Sequence, residues 1–382
     1  MYSISGYGSM IADSIRNDAY ARALRKTITP GSVVVDIGAG SGLFALLACQ
    51  CGARRVYAIE PADTIYLAKE MAAANGYADR IEFIQDYSTA VTLPEQADVV
   101  VSDLRGVLPF FQQHLPSIID ARQRLLKTGG TLIPQQDSLW AAMAEAPELY
   151  NRLSAPWLSN PYGLDTRAGW RIASNTFRKG MALPEHLLVE PKCWACLDYR
   201  SIESPDVNGE LTWNVNREGT AHGICAWFDT TLAEGAGFSN APGLPELIYG
   251  NVFFPLTEPV NLEKGDAVIV RIHANLVGCD YIWRWETRVL GRGEPGCVKA
   301  DFKQSTFFGT PLSPSRLRRQ AESYEPELNE DGQIDQLILS LIERRIALGE
   351  IATQLNERFP QYFRDHLDAL SRVGELSQKY SF

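Results

Sequence analysis

The sequence predicts an α/β domain with a parallel sheet covered on both faces, then an all-β module of barrel type, then a small C-terminal helical bundle. Three observations predict it. Up to residue 134, apolar runs rich in Val and Ile alternate with helical patterns, as in a sheet buried on both sides. From 135 to about 308, helical periodicity is scarce and short alternating runs separated by turn clusters dominate. Beyond 332 the pattern is helical again. A chain of 382 residues is also too long for one ordinary core.

Taken in order, residues 1–30 read as helix around "SMIADSIRNDAYARALRKTI", with Met10, Ile11, Ile15, Tyr20 and Leu24 at helical spacing. "VVVDI" is a buried strand and "LFALLACQC" a helix. "RVYAIE" is a strand, and "DTIYLAKEMAAANG" a helix stopped by Asn75-Gly76. "IEFIQD" and "ADVVVSDL" are strands, "SIIDARQRLLKTGG" a helix closed by glycines, and "TLIPQ" opens a further strand. The all-β runs include "LWAAMAE", "KCWACLDY", "GELTWNVN", "GICAWFDTTL", "VFFPL", "AVIVRIHANLV" and "YIWRWETRVL". Residues 309–332 read as a linker. The tail, 333–382, reads as three short helices with a break at Gly349, like a winged-helix or helix-turn-helix bundle.

Composition narrows the function classes. A formal charge of -10 argues against a broad nucleic-acid surface. No apolar run reaches the ~18–20 residues of a spanning helix, and the N-terminus lacks the pattern of a secretory signal, so a cytoplasmic location is expected. Seven cysteines, an odd number, suggest reduced thiols. "CWAC" at 193–196 alternates like a strand, which would send its two thiols to opposite faces. With no second such pair, neither a metal nor a redox role is expected, and two small residues in a sheet is the plainer reading.

The chemistry concentrates in "DIGAGSG". Gly38, Gly40 and Gly42 permit a tight turn and close backbone approach to a ligand. The spacing is not the G-x-G-x-x-G of a dinucleotide turn, and Asp36 stands just before it. A carboxylate there would repel a pyrophosphate but attract an ammonium, favouring S-adenosylmethionine over a nicotinamide dinucleotide. Glu60, at the end of the next strand, suits ribose hydroxyls. Asp86 and Tyr87, at the end of the third, suit an adenine amino group and face.

Together these motifs resemble the class I S-adenosylmethionine-dependent methyltransferases, and the protein arginine methyltransferases in particular, over roughly residues 7–290. The resemblance implies a Rossmann-like domain over 1–134 and a β-barrel substrate domain over 135–308. It places a dimerisation arm at 151–186, hence a homodimer. "YGSMIADSIRNDAY" is similar to the family's cofactor-covering helices. By that similarity Tyr7 and Met10 lie against the cofactor, Met10 near the sulfonium, and Arg16 pairs its methionine carboxylate. The family's loop after the fourth strand carries two glutamates nine residues apart that clamp a guanidinium. Here "SDLRGVLPFFQQHL" offers Asp103 and Gln112 at those places, and the family's Thr-His-Trp barrel loop is missing.

Asp103 is therefore the candidate substrate-contacting acid or base, with a loop cap as the plainer reading. Arg105 is either a partner for an acidic substrate group or solvated. His222 is a candidate base from the barrel wall, and His114 a weaker one on the following helix. Trp227, Tyr249, Trp283 and Trp285 read as barrel core. The tail weakly resembles small domains that recognise leader peptides of ribosomally made natural products. A packing or dimerisation bundle is the plainer reading. The expected activity is methyl transfer to a nitrogen or oxygen of a peptide or protein side chain. The alternatives are a small-molecule acceptor, or a scaffold that binds the cofactor without catalysis.

Overall fold

The computed structural model describes residues 3–180, 182–292 and 297–381, in two compact units, Met1–Pro311 and Leu312–Phe382. The first unit opens with α1 (Ile4–Ala12) and α2 (Ser14–Thr27), where one continuous helix was expected. Asp13 makes the break. Its carboxylate accepts the Arg16 backbone N–H at 3.1 Å as the cap of α2, and the Ile248 backbone N–H at 2.8 Å.

The parallel sheet comprises β1 (Val33–Ile37), β2 (Arg55–Ile59), β3 (Ile81–Ile84), β4 (Ala97–Ser102) and β5 (Leu126–Ile133), in the order β3-β2-β1-β4-β5. α3 (Leu43–Gln50), α4 (Thr64–Ala74) and α5 (His114–Arg124) cross over between strands. All five residues of β1 are buried, which explains why that strand reads as a continuous apolar run. Strand order reverses on either side of β1, between β2 and β4. The crevice beyond their C-terminal ends is where such sheets hold ligands. Asp36, Glu60 and Asp103 all arrive at that edge.

β6 (Gln136–Ala144) leads out of the parallel sheet into the all-β module. After it, the aromatic-rich segment folds as α6 (Pro147–Leu158) and α7 (Arg167–Ala173). Next come β7 (Arg178–Gly180), β8 (Lys192–Asp198), β9 (Val207–Asn214), β10 (Gly219–Ala233), β11 (Ala236–Ser239) and β12 (Asn251–Leu262). β13 (Ala267–Val277), β14 (Asp280–Leu290) and β15 (Val298–Ser305) complete it. The expected barrel is built as two antiparallel sheets, β7-β12-β10-β6-β8 and β15-β14-β13-β9, whose ladders stay separate among the described residues. They share one hydrophobic core with the parallel sheet. Phe254 packs on Trp283 and Trp285 inside it, as expected of these aromatics.

One expectation fails in β8. The register pairs Leu139 with Ala195 but Trp140 with Cys193, so Trp194 is an extra, bulged residue. The bulge puts Cys193 and Cys196 on the same face, opposite Trp140 and Ser138, rather than on opposite faces.

In the second unit, α8 (Pro314–Arg319) interrupts the expected linker, and α9 (Glu330–Glu343), α10 (Leu348–Arg358) and α11 (His366–Tyr380) form the bundle. Asn329 and Asp365 cap α9 and α11 through their side chains. The break between α9 and α10 falls at Arg345, in the left-handed region at φ 57°. Gly349 lies inside α10. Among the described residues no strand accompanies these helices, so the wing of a winged helix is not seen.

This unit has its own core, in which Ile338, Ile351, Leu355 and Val373 are wholly buried. Ile338→Ala should therefore cost the bundle about 2–4 kcal/mol. In thermal unfolding followed by circular dichroism, the expected result is a lowered transition for the bundle and an unchanged one for the first unit.

Candidate active site

The turn after β1 is built from glycines because nothing else fits. Gly38, Gly40 and Gly42 have φ of 70°, 53° and 83°, in the left-handed region. A Cβ on Gly40 would lie 2.7 Å from the Tyr7 ring, and one on Gly38 2.2 Å from the Leu104 side chain. Glu60 pins the turn: one carboxylate oxygen accepts the Gly40 N–H at 3.0 Å, the other the Ala62 N–H at 2.9 Å. α3 begins after Gly42, which offers no side-chain cap to the N–H groups of the first turn.

Asp36 is 1% exposed, and neither carboxylate oxygen has a hydrogen-bond partner. Burial pushes its carboxyl up to about 7. The Ala45 backbone N–H, short of hydrogen-bond geometry, pulls the other way, and the Glu60 charge adds to the rise. A buried, unpartnered carboxyl at the foot of the glycine turn is a ready counter-charge for a bound cation.

Beside it runs a buried ion network. Asp103 accepts from Arg16 Nε at 2.6 Å, from the Tyr249 hydroxyl at 2.5 Å and from Arg105 Nη1 at 3.1 Å. Burial would raise its carboxyl, but the Arg16 and Arg105 guanidiniums outweigh burial and hold it below the usual carboxylate range. Arg105 is wholly buried and uses every N–H it has. Nε and Nη2 grip the two oxygens of Asp137 at 2.8 and 3.0 Å. Nη2 also reaches Thr230 at 2.7 Å, and Nη1 reaches the Tyr20 hydroxyl at 2.8 Å besides Asp103. The Tyr199 hydroxyl donates to Asp137 at 2.6 Å and lies 3.1 Å from His114 Nε2. Burial, with Arg105 adding, pushes the His114 imidazole down to about 3, so it is neutral.

The other expected site residues divide. Tyr7 is buried over the turn, its hydroxyl 3.3 Å from Thr64. Met10 is half-buried, and its carbonyl accepts from Asn17 at 2.9 Å. Asp86 and Tyr87 are exposed just beyond β3. Gln112 is exposed, with a left-handed φ of 47°, and does not join Asp103.

Two expectations are corrected. His222 lies on β10 eight residues from Thr230, about 25 Å along a strand from the Arg105 network. It packs against Tyr150 of α6 instead, at 5.7 Å between rings, so it is not a base for this site. Arg105, read as solvated or substrate-facing, is an internal structural cation. Asp137, Tyr199 and Tyr20 were missed as site residues. Asp137 alone carries a signal, a lone acid at an inward position of an apolar strand.

The family model described as ribosomal protein L11 methyltransferase (PrmA) matches residues 20–147. Protein arginine N-methyltransferase 6 of Danio rerio is 31% identical over 235 residues, 58% of this chain and 67% of that protein. A probable protein arginine N-methyltransferase 6 of Arabidopsis thaliana is 30% identical over 233 residues. That match takes in 59% of this chain, which spans about half the length of that relative, 53%. Among solved structures, a Trypanosoma brucei protein arginine methyltransferase 1 enzyme–prozyme complex with AdoHcy superposes with a TM-score of 0.70 at 18% identity. It covers 78% of this chain and 96% of that one.

Two outcomes are expected of the site itself. Asp36 is raised in the fold, so the stability it permits is full below the ordinary carboxyl range and lost as pH rises through about 7. Urea unfolding from about pH 5 to about pH 8 should show a loss of roughly 2 kcal/mol that Asp36→Asn lacks. Arg105→Met strands Asp103 and Asp137 without their shared cation and should cost about 3–5 kcal/mol by the same measurement.

Proposed function

The chain belongs to the protein arginine N-methyltransferase family and its cofactor is S-adenosylmethionine; from that premise we propose that it methylates a nitrogen or oxygen of a peptide or protein side chain other than a guanidinium. The residues present fit the cofactor. Asp36 offers two unpartnered carboxylate oxygens for an amino group, and the positive-φ glycines of the turn let its backbone approach a ligand closely. When bound, the cofactor supplies a methyl group on a cationic sulfur, open to in-line displacement. Asp36 binds its ammonium, Glu60 turns its remaining lone pairs to the ribose, and Asp86 and Tyr87 address the adenine. Tyr7 and Met10 cover the site and Arg16 faces the carboxylate end.

The observation that carries the acceptor is the state of Asp103. Three donors already engage its carboxylate, and Gln112, at the family's second clamp position, is neutral and exposed. A guanidinium is met best by a carboxylate with both oxygens free, and three of the roughly four lone pairs of Asp103 are taken, which leaves no bidentate face for a second cation. Asp103 acts here as a positioning residue that holds Arg16 and Tyr249, not as the base. The end of α6 and its connection to α7 expose Trp157, Leu158, Tyr162 and Leu164, a surface suited to self-association as the arm of a homodimer.

The test is methyl-labelled cofactor with the full chain, peptide mixtures and small metabolites, read by mass spectrometry. Methyl groups on peptide side chains other than arginine are expected. Methylarginine, or a methylated metabolite as the sole product, would overturn the acceptor reading. Asp36→Asn should weaken cofactor binding by about 10–100-fold in calorimetry, the worth of one charge-assisted bond of roughly 1.5–3 kcal/mol. Absence of binding by the wild-type chain would sink the cofactor assignment.

A further inference from the structure

We propose that Cys193 and Cys196 form a thiol–disulfide modification site, two exposed thiols on one outward face of β8 that close into an intramolecular disulfide. Three independent observations carry this. The first is the register. The four residues from Cys193 to Cys196 oppose only Trp140, Leu139 and Ser138 of β6, because Trp194 is bulged. Over a regular strand, three steps would separate the two Cα atoms by ~10 Å. Matched to a two-step stretch of β6 they lie about 6.5–7 Å apart, at the upper edge of the ~4.4–6.8 Å that a disulfide spans. A bulge also raises local twist, which turns neighbouring side chains toward each other.

The second observation is burial. Along β8, Cys193 is exposed, Trp194 buried, Ala195 intermediate, Cys196 exposed and Leu197 buried. Strict alternation would bury one cysteine of the pair, and the observed sequence leaves both open to solvent. Burial, and Cys193 beside it, push the Cys196 thiol up, which agrees with two sulfurs sharing one face. The third is position. β8 is the last strand of its ladder, so closing the bridge distorts backbone pairing with β6 alone, while Gly209 of β9, by lacking a Cβ, makes room for the Trp194 carbonyl on the other side.

The chemistry needs an oxidant, and a small disulfide such as oxidised glutathione supplies it. One cysteine thiolate attacks the small disulfide, forming a mixed disulfide and releasing one small thiol. The second thiolate attacks the protein sulfur of that mixed disulfide and releases the other. Two protein thiols are oxidised to one S–S bond, and one small disulfide is reduced to two thiols that carry off both protons. The inner face of the same strand puts Leu197 opposite Asp137, and Tyr199 follows directly. The bridge would thus stiffen the strand that delivers the Tyr199 hydroxyl to the buried network.

The test treats the full chain with oxidised glutathione under native conditions and maps its peptides by mass. The peptide holding both cysteines should lose two hydrogens, carry no glutathione, and revert with dithiothreitol. Exposed Cys279 and Cys297, away from β8, serve as references that gain glutathione. In Cys193→Ser, a conservative change at an exposed position, Cys196 should keep a glutathione adduct because its resolving thiol is gone. Wild-type protein carrying glutathione on both Cys193 and Cys196 would overturn the proposal. So would wild-type protein in which both thiols stay unmodified.

Discussion

The first unit depends on one buried guanidinium. Arg105 spends five N–H groups on Asp137, Asp103, Tyr20 and Thr230, which come from β6, the loop after β4, α2 and β10. An arginine without solvent needs each donor met, so these four segments have little freedom to choose another arrangement. Replacing such a network with apolar side chains is often neutral for stability, so its worth here lies in geometry. It fixes where the loop after β4 stands relative to the antiparallel sheets, and that loop forms the floor of the crevice.

The same network reaches the cover of the site. Asp103 passes the constraint to Arg16 of α2, and Tyr249 closes the triangle. Asp13 ties the start of α2 to the Ile248 backbone. The N-terminal helices are thus latched to the loop between β11 and β12 as well as to the parallel sheet. Tyr7, one helix earlier, then sits over the glycine turn, where a Cβ on Gly40 would strike it. The N-terminal helices and the loop before β12 are held by one set of charges, and movement of either would have to break a buried ion pair or its hydrogen bonds.

Much of this was legible in the sequence where a local rule applied. The alternation of strand and helix patterns, the glycine turn and the acids at strand ends follow from burial on two faces and from backbone conformation. Those depend on neighbours in sequence. The break at Asp13 was legible in principle, since Asp is a good cap, but the helical periodicity of Met10, Ile11 and Ile15 ran across it. The bulge at Trp194 was not legible, because register is set by the partner strand. The Arg105 network was invisible for the same reason: Asp103 and Arg105 are neighbours, while Asp137, Tyr199, Thr230 and Tyr249 meet them only after folding. His222 illustrates the converse. Its residue type suggested chemistry, and its place far along β10 removes it from the site.

The charge balance of the network bears on the acceptor. Two guanidiniums, Arg16 and Arg105, stand against two carboxylates, Asp103 and Asp137, all almost fully buried. The set is neutral without any ligand. Asp36, its charge held back by burial, is the partner proposed for the cofactor's ammonium. A cationic acceptor entering beside this set would find no spare negative charge, and at short range in a poorly hydrated crevice that deficit is larger than a few hydrogen bonds restore. A neutral nitrogen or oxygen brings no such demand. It needs only alignment with the departing sulfur and a route for one proton to solvent. In this chain the arginine between the acids is its own Arg105, and that is the ground on which a neutral nucleophile is the acceptor we propose.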